Sequence, residues 1–396
     1  MTRDRLRPTL TMSEIFGPNQ IFFPRAHDGY SDWLPDDPAV LDALTGGSLT
    51  IAGDMPIVCS AGHDTPAGLD LMARAGLEVA QARLHFKAGR QLDALAAAAA
   101  RPDTRIVFQH ALPPGSPEEI WSWIDPALLR FLNDKANLAQ LAPPENVPRR
   151  RIVDRAQYFA AADQPLPSVL KIATDQSTGG GLGVAICHSL DDLRQAARTF
   201  EKCERIVVEE MLDIVRNPCL NFAVMPGGEV RYLGFADQEV TPEGRHYGNW
   251  LDLGRPLDEA AIEAATEPVR RAAAMGYRGL AGVDLALTSG SATYVLDLNF
   301  RFNASTAAIL LAPAITSRSG ATAIHLRRVQ GPLVADHLAD AMRPFVASGG
   351  LIPLNLFDAE AAGHPGKSAR SRALVVGASR EVVEATEAEM AAVGLS

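Results

Sequence analysis

The sequence predicts a mixed architecture, an open α/β domain near the N-terminus followed by α+β segments built on antiparallel strands. Three observations carry this reading. Short β-like runs alternate with helical runs over about residues 48–115, the pattern of an open α/β domain. A strand, glycine loop and strand follow at Ser168–Ala173, Ser177–Gly183 and Val184–Ile186. Further on, Gly279–Leu287 and Thr293–Arg301 are apolar runs flanking Thr288-Ser-Gly-Ser-Ala292, which reads as an antiparallel hairpin.

The chain has 396 residues, enough for two or three domains and a large core. Its net charge of −10 argues against a general nucleic-acid or anionic-membrane binder, though a local basic pocket remains compatible with it. Four scattered cysteines without a CxxC pair argue against a disulfide framework and for a reducing cytoplasm. No stretch is long and apolar enough to span a membrane, and no apolar segment backs Arg3, Arg5 and Arg7 as a signal peptide would require.

In chain order, residues 1–47 show little periodicity. Leu49–Ile51, Pro56–Cys59 and Arg105–Gln109 read as strands, and Ala67–Arg74 and Gln91–Ala100 as helices. Ser116-Pro-Glu-Glu119 is a capping box that opens a helix through Ile124, and Pro126–Leu141 reads as a second helix. Prolines 143, 144 and 148 break the chain before the basic run Arg149–Arg151, which on its own reads as solvated surface. After the glycine unit come a helix over Leu190–Phe200, capped by Ser189, and a strand over Arg205–Leu212. Leu220–Met225 and Val230–Phe235 read as strands, Asp258–Met275 as an amphipathic helix, and 305–348 as helical. A strand at Arg372–Val376 and a helix at Glu381–Val393 close the chain.

The hairpin carries the chemistry. Side chains alternate along a strand, so Asp297, Asn299 and Arg301 share one face, while Leu296, Leu298 and Phe300 share the other. A turn centred near Gly290 sets Asp284 opposite Asp297. Such oxygen ligands suit magnesium, and the arginine beside them suits a phosphate. The loop Ser177-Thr178-Gly179-Gly180-Gly181-Leu182-Gly183 can present backbone N–H groups to an anion, with Lys171 in the preceding strand reaching phosphate oxygens. A strand follows this loop, which argues against both a Rossmann turn and a Walker loop. Gly366-Lys367-Ser368 imitates a Walker ending, but Ala361 stands where its first glycine belongs. Arg231, Arg245, His246, Gln238, Glu239 and His63 are weaker candidates for substrate contact, each with a bland surface or capping reading beside it.

The order of these parts resembles the ATP-grasp superfamily, over roughly residues 48–315 in layout and 130–303 in motif. Lys135 and Lys171 match the two nucleotide lysines, Ser177–Gly183 the lid over the phosphates, and Ile206–Leu212 the hinge strand that meets adenine. The resemblance implies that Glu209, Glu210 and Leu212 contact the base, with Asp213 the nearest candidate for the ribose. It also implies that Asp284, Asp297 and Asn299 bind Mg2+, with Mn2+ an alternative, and that Arg301 and Lys171 are catalytic. Asp297 stands where the family usually has Glu, which leaves the number of metal ions open. The leading segment and the tail resemble the pheganomycin-type peptide ligases.

The implied fold has an N-terminal α/β domain over 1–115, a central lid domain over 116–208 and a C-terminal metal domain over 209–396. The implied reaction is ATP-dependent joining of a carboxylate to an amine or peptide through an acyl phosphate, giving ADP and phosphate, as in specialised peptide assembly. Small-molecule substrates, no nucleic acid or membrane, and a homodimer as common among relatives complete the expectation. A kinase on the same scaffold and a non-catalytic nucleotide-binding regulator are the alternatives.

Overall fold

The computed structural model describes residues 5–176, 178–179, 181–331 and 334–396. Its strands form three sheets. The first contains β1 (Gln20–Phe23), β2 (Ile57–Ser60), β3 (Arg83–Phe86) and β4 (Arg105–Phe108), parallel throughout in the order β3-β2-β1-β4. Two of its four strands, β1 and β3, fall where the sequence suggested none. Leu49–Ile51 is instead a buried turn, because its residues fill the core from a bend and pair with no strand.

The second sheet contains β5 (Arg150–Asp154), β6 (Ser168–Ala173), β7 (Val184–Cys187) and β8 (Arg205–Glu210), antiparallel in the order β5-β8-β6-β7. The helix Leu190–Thr199 lays Leu193 and Ala196 on Leu170, Ile172 and Ile206. Ser189 and Asp192 close its capping box, so its start is set by the sequence itself. The β6–β7 connection carries the glycines of the loop, of which Gly179, Gly181 and Gly183 are described.

The third sheet is the scaffold of the site. It contains β9 (Ile214–Arg216), β10 (Pro218–Val224), β11 (Val230–Val240), β12 (His246–Asp252), β13 (Gly279–Thr288), β14 (Thr293–Asn299), β15 (Ala323–Gln330), β16 (Leu351–Pro353) and β17 (Arg370–Gly377). The order is β14-β13-β10-β11-β12-β15-β17-β16, with β9 on β13. Helix Glu259–Ala274, capped by Asp258, covers one face through Leu220, Phe222, Val283 and Leu298. Helices Pro126–Asn133 and Leu138–Leu141 contribute Leu129, Leu132, Leu138 and Leu141 to this same core. Helix Thr306–Ser319 and the N-terminal elements pack into a larger core with Ala223, Ala236 and Leu326.

Three helical expectations change. The 305–348 stretch is two helices, Thr306–Ser319 and Ala335–Ser348, separated by β15. Pro126–Leu141 breaks after Asn133 because Asp134 caps a new 3₁₀ turn, Lys135–Asn137. Ser116 opens only the 3₁₀ turn Pro117–Trp121 and makes no side-chain cap.

Candidate active site

The β13–β14 hairpin puts Asp284 directly opposite Asp297, and Asn299 opposite Gly282. A bulge between Asp284 and Leu285 then lets Val295 and Leu298 both enter the core. It displaces Leu296 from the core face, where alternation placed it, into the wall of the cleft. The freed Leu296 carbonyl accepts a hydrogen bond from Lys171 Nζ at 2.7 Å.

Asp284, Asp297, Asn299 and Arg301 converge. Asn299 Nδ2 donates to Asp284 at 3.3 Å, and Arg301 Nη1 donates to Asn299 Oδ1 at 2.5 Å. Arg301 Nη2 also donates to the Thr178 carbonyl at 3.2 Å, joining the hairpin to the glycine loop. Lys135 Nζ lies 2.5 Å from Asp297. Lys171 Nζ lies 2.7 Å from Glu209, and the buried Arg150 stands 3.6 Å from the same carboxylate. The hinge acid Glu209 thus anchors the two cations, and Glu210 pairs outward with Arg149 at 2.7 Å.

Burial raises Asp284 above the usual carboxylate range, and the Asp297 charge adds to the rise. Burial also acts to raise Asp297, but Lys135, by charge and hydrogen bond, together with Lys171 and Arg301 outweighs it and holds Asp297 low. Two carboxylates facing each other in a buried site favour a cation between them. The donor set of two carboxylates and an amide oxygen is hard and fits Mg2+. Among the described residues no group of three His, Cys, Asp or Glu side chains forms a metal site, so remaining ligands would come from phosphate or water.

Two adjoining cavities share Lys135, Gly181, Val184, Gln238, His246, Asp284 and Asp297. One, of about 230 Å³, is lined by Val169, Lys171, Ile186, Glu209, Glu210, Met211 and Leu212, a largely apolar slot beside the hinge. The other, of about 150 Å³, runs past Thr178, Gly179 and Gly183 to Asn249, Arg301 and Asn303–Ser305. Ser177 and Gly180 lie outside the described residues. Gly181 has φ +78°, and a Cβ there would sit 2.5 Å from the Gly244 carbonyl, so the loop presses on the β11–β12 turn.

Asp213 does not line either cavity; its carboxylate accepts from the Ser289 hydroxyl at 2.6 Å. Asn217 and Gln238 stand on the slot instead. His246 and Gln238 line both cavities, whereas Glu239 faces away and pairs with His325. Arg231 is tied to Glu229 on the surface, Arg245 sits on the turn against the loop, and His63 is buried against Leu356 and Phe357. Asn249 and Asn303–Ser305 carried no motif signal, and only the β12 strand assignment would have pointed to Asn249.

A cleft between lid sheet and hairpin, with paired lysines, a carboxylate pair and an arginine, defines the ATP-grasp class, and the chain belongs to the ATP-grasp carboxylate–amine ligases. Two family models match it: the ATP-grasp domain of L-aspartate–L-methionine ligase over residues 148–299, and the N-terminal domain of that ligase over 11–130. The fold is similar to an L-amino acid ligase from Bacillus licheniformis (13% identity, 95% of this chain and 98% of that one, TM-score 0.54). It is similar also to N5-carboxyaminoimidazole synthetase from Staphylococcus aureus with ADP (13%, 99% and 99%, 0.56). A third similar fold is the biotin carboxylase of Campylobacter jejuni (14%, 96% and 92%, 0.58). The chain is an ATP-dependent enzyme that joins an acid to an amine. No helix among the described residues is long and apolar enough to cross a membrane.

Proposed function

We propose that the enzyme joins two amino acids, with L-aspartate as acid and L-methionine as amine the first pair to test, through an acyl phosphate. The observation that carries this reading is the Asp284–Asp297 pair, bracketed by Lys135 and Arg301 and continuous with the hinge slot. The family descriptor supplies the substrate pair.

Adenine would occupy the apolar slot beside Glu210–Leu212, and Lys135 and Lys171 would neutralise the phosphates. Mg2+ held by Asp284, Asp297 and Asn299 would supply charge neutralisation at the phosphates. Arg301 would hold the transferring phosphoryl group through its guanidinium fork. The acid's carboxylate oxygen bonds to the γ-phosphorus as the bond to ADP breaks. The amine then bonds to the acyl carbon, phosphate leaves with that carboxylate oxygen, and the amine proton is released. Positioning and charge neutralisation supply most of the rate, so no nucleophile–histidine pair is required. The glycine loop would cover the phosphates and keep water from the acyl phosphate.

Aspartate labelled with ¹⁸O in its carboxylates tests this. Transfer of one label into the released phosphate supports the acyl phosphate, and unlabelled phosphate would remove it.

A further inference from the structure

Nucleotide binding leaves three arginines at the far side of the large sheet unexplained. Arg328 on β15 pairs directly with Arg372 on β17, and Arg370 lies two residues along the same strand, opposite Gln330. Cross-strand partners share a face, so the three guanidinium groups issue from one face. Like charges directly opposite each other destabilise a sheet. Among the described residues none of the three has a carboxylate partner or any side-chain hydrogen bond, and Arg370 Nε is buried without one. Asp37, whose charge is felt at Arg370, is already engaged with Lys367 at 2.7 Å. Burial pushes Arg372 down to about 10, and Arg328 adds to the shift. In a chain of net charge −10, a basic cluster on one sheet face with no carboxylate partner among the described residues calls for an anion.

Register shows which anion can reach it. Asn249, which lines the cavity of about 150 Å³, pairs with Leu326, and Leu326 pairs with Leu374. Arg328 and Arg372 lie two residues beyond these leucines, so they share the face of the cavity. The charge of Arg372 is felt at His246, a residue of both cavities. Asp284 on β13 is separated from β15 by β10, β11 and β12. Four strand spacings make roughly 19 Å, so phosphates beside Asp284 do not reach the arginines. The far end of a substrate seated over Gln238, His246 and Asn249 is what reaches them.

Resting on the ligase reading above, we propose that Arg328, Arg370 and Arg372 form a carboxylate subsite that grips the substrate carboxylate that does not react. Two sources offer that group, the side chain of an acidic acyl donor and the α-carboxylate of the amino-acid acceptor. The subsite selects anionic substrates and orients the reacting end toward Arg301.

Calorimetry on the full chain, saturated with Mg2+ and a non-hydrolysable ATP analogue, tests this with four probes. L-aspartate is compared with L-asparagine, and L-methionine with L-methioninamide. In wild type, neutralising the held carboxylate weakens binding at least about tenfold, the effect of losing a charge-assisted contact. Which pair shows the loss identifies the source. In the double variant Arg370→Gln, Arg372→Gln the difference falls below about threefold, as expected when the charge partner is gone. The affinity for the ATP analogue stays at the wild-type value and verifies the fold. Arg328→Gln, at an exposed position, gives a smaller loss of the same selectivity. The proposal is overturned by no probe binding to wild type, by no difference within either pair, or by a difference that survives the double substitution. ADP release is read separately. Turnover with undiminished selectivity in the variant removes the subsite and keeps the ligase, whereas selective binding without turnover for any acid and amine removes the ligase and keeps the subsite.

Discussion

Replacing Glu209 by Gln keeps the shape of the hinge acid and deletes its charge. In the wild-type chain its carboxylate lies 2.7 Å from Lys171 Nζ and 3.6 Å from Arg150, and the side chains of the lysine and the acid are only 7% and 3% exposed. The variant leaves two buried cations facing each other. Removing one member of a buried ion pair costs about 3–5 kcal/mol, and the open slot beside Lys171 argues for the lower figure. At roughly 2 °C per kcal/mol for a large chain, the unliganded melting temperature should fall by about 6 °C. A triphosphate beside Lys171 returns negative charge, so Mg2+ with a non-hydrolysable ATP analogue should stabilise the variant more than the wild type. Differential scanning fluorimetry with and without the analogue reads both effects. A variant that melts within a degree of wild type refutes the buried-pair argument. A destabilised variant without extra rescue refutes the placement of phosphates at Lys171.

Arg301→Ala should lower kcat by about 10²–10³-fold, the usual loss on removing a donor to developing charge, with analogue affinity changed only a few-fold. Steady-state ADP release and equilibrium binding check the two halves. Gly181→Ala forces a Cβ to 2.5 Å from the Gly244 carbonyl at a φ of +78°, so it should displace the loop and raise the KM for ATP without lowering the melting temperature by more than a few degrees. His325 stands 2.9 Å from Glu239 and 2.6 Å from Glu387; burial acts to lower its pKa, but the two acids outweigh burial and raise it. A raised histidine pKa gives stability that is complete below the unfolded value and lost as pH rises through the folded one. Wild type should therefore melt lower at pH 8.5 than at pH 6, and His325→Gln should flatten that slope; equal slopes would refute it.

The hairpin was legible because period-two alternation and a Gly/Ser turn determine register, and Asp284 does face Asp297. The bulge was not, since nothing in Val295-Leu296-Asp297 distinguishes a regular strand from one with an extra residue, and Leu296 changed faces as a result. Strand β15, Ala-Ile-His-Leu-Arg-Arg-Val-Gln, reads as part of a long helix from sequence because its apolar residues also satisfy helical spacing. With β15 unread, Arg328 had no partner strand, and the cluster with Arg370 and Arg372 could not be seen. Strands β1 and β3 are four residues each; β1 is largely buried and β3 buries only Phe86, so neither shows a clear local alternation. Lys135 was found by its place in the family order, but its fixing by a broken helix and by Asp297 is a tertiary fact.

The central claim is that this cleft activates an acid by phosphorylation and passes it to an amine. Purified enzyme with MgATP, L-aspartate and L-methionine, followed by nucleotide chromatography and mass spectrometry, tests it most directly. The account predicts ADP and phosphate in equal amounts with one dipeptide formed, and no sustained ADP release when either amino acid is omitted. AMP and pyrophosphate, or ADP formed with a stable phosphorylated product and no amide, would contradict it.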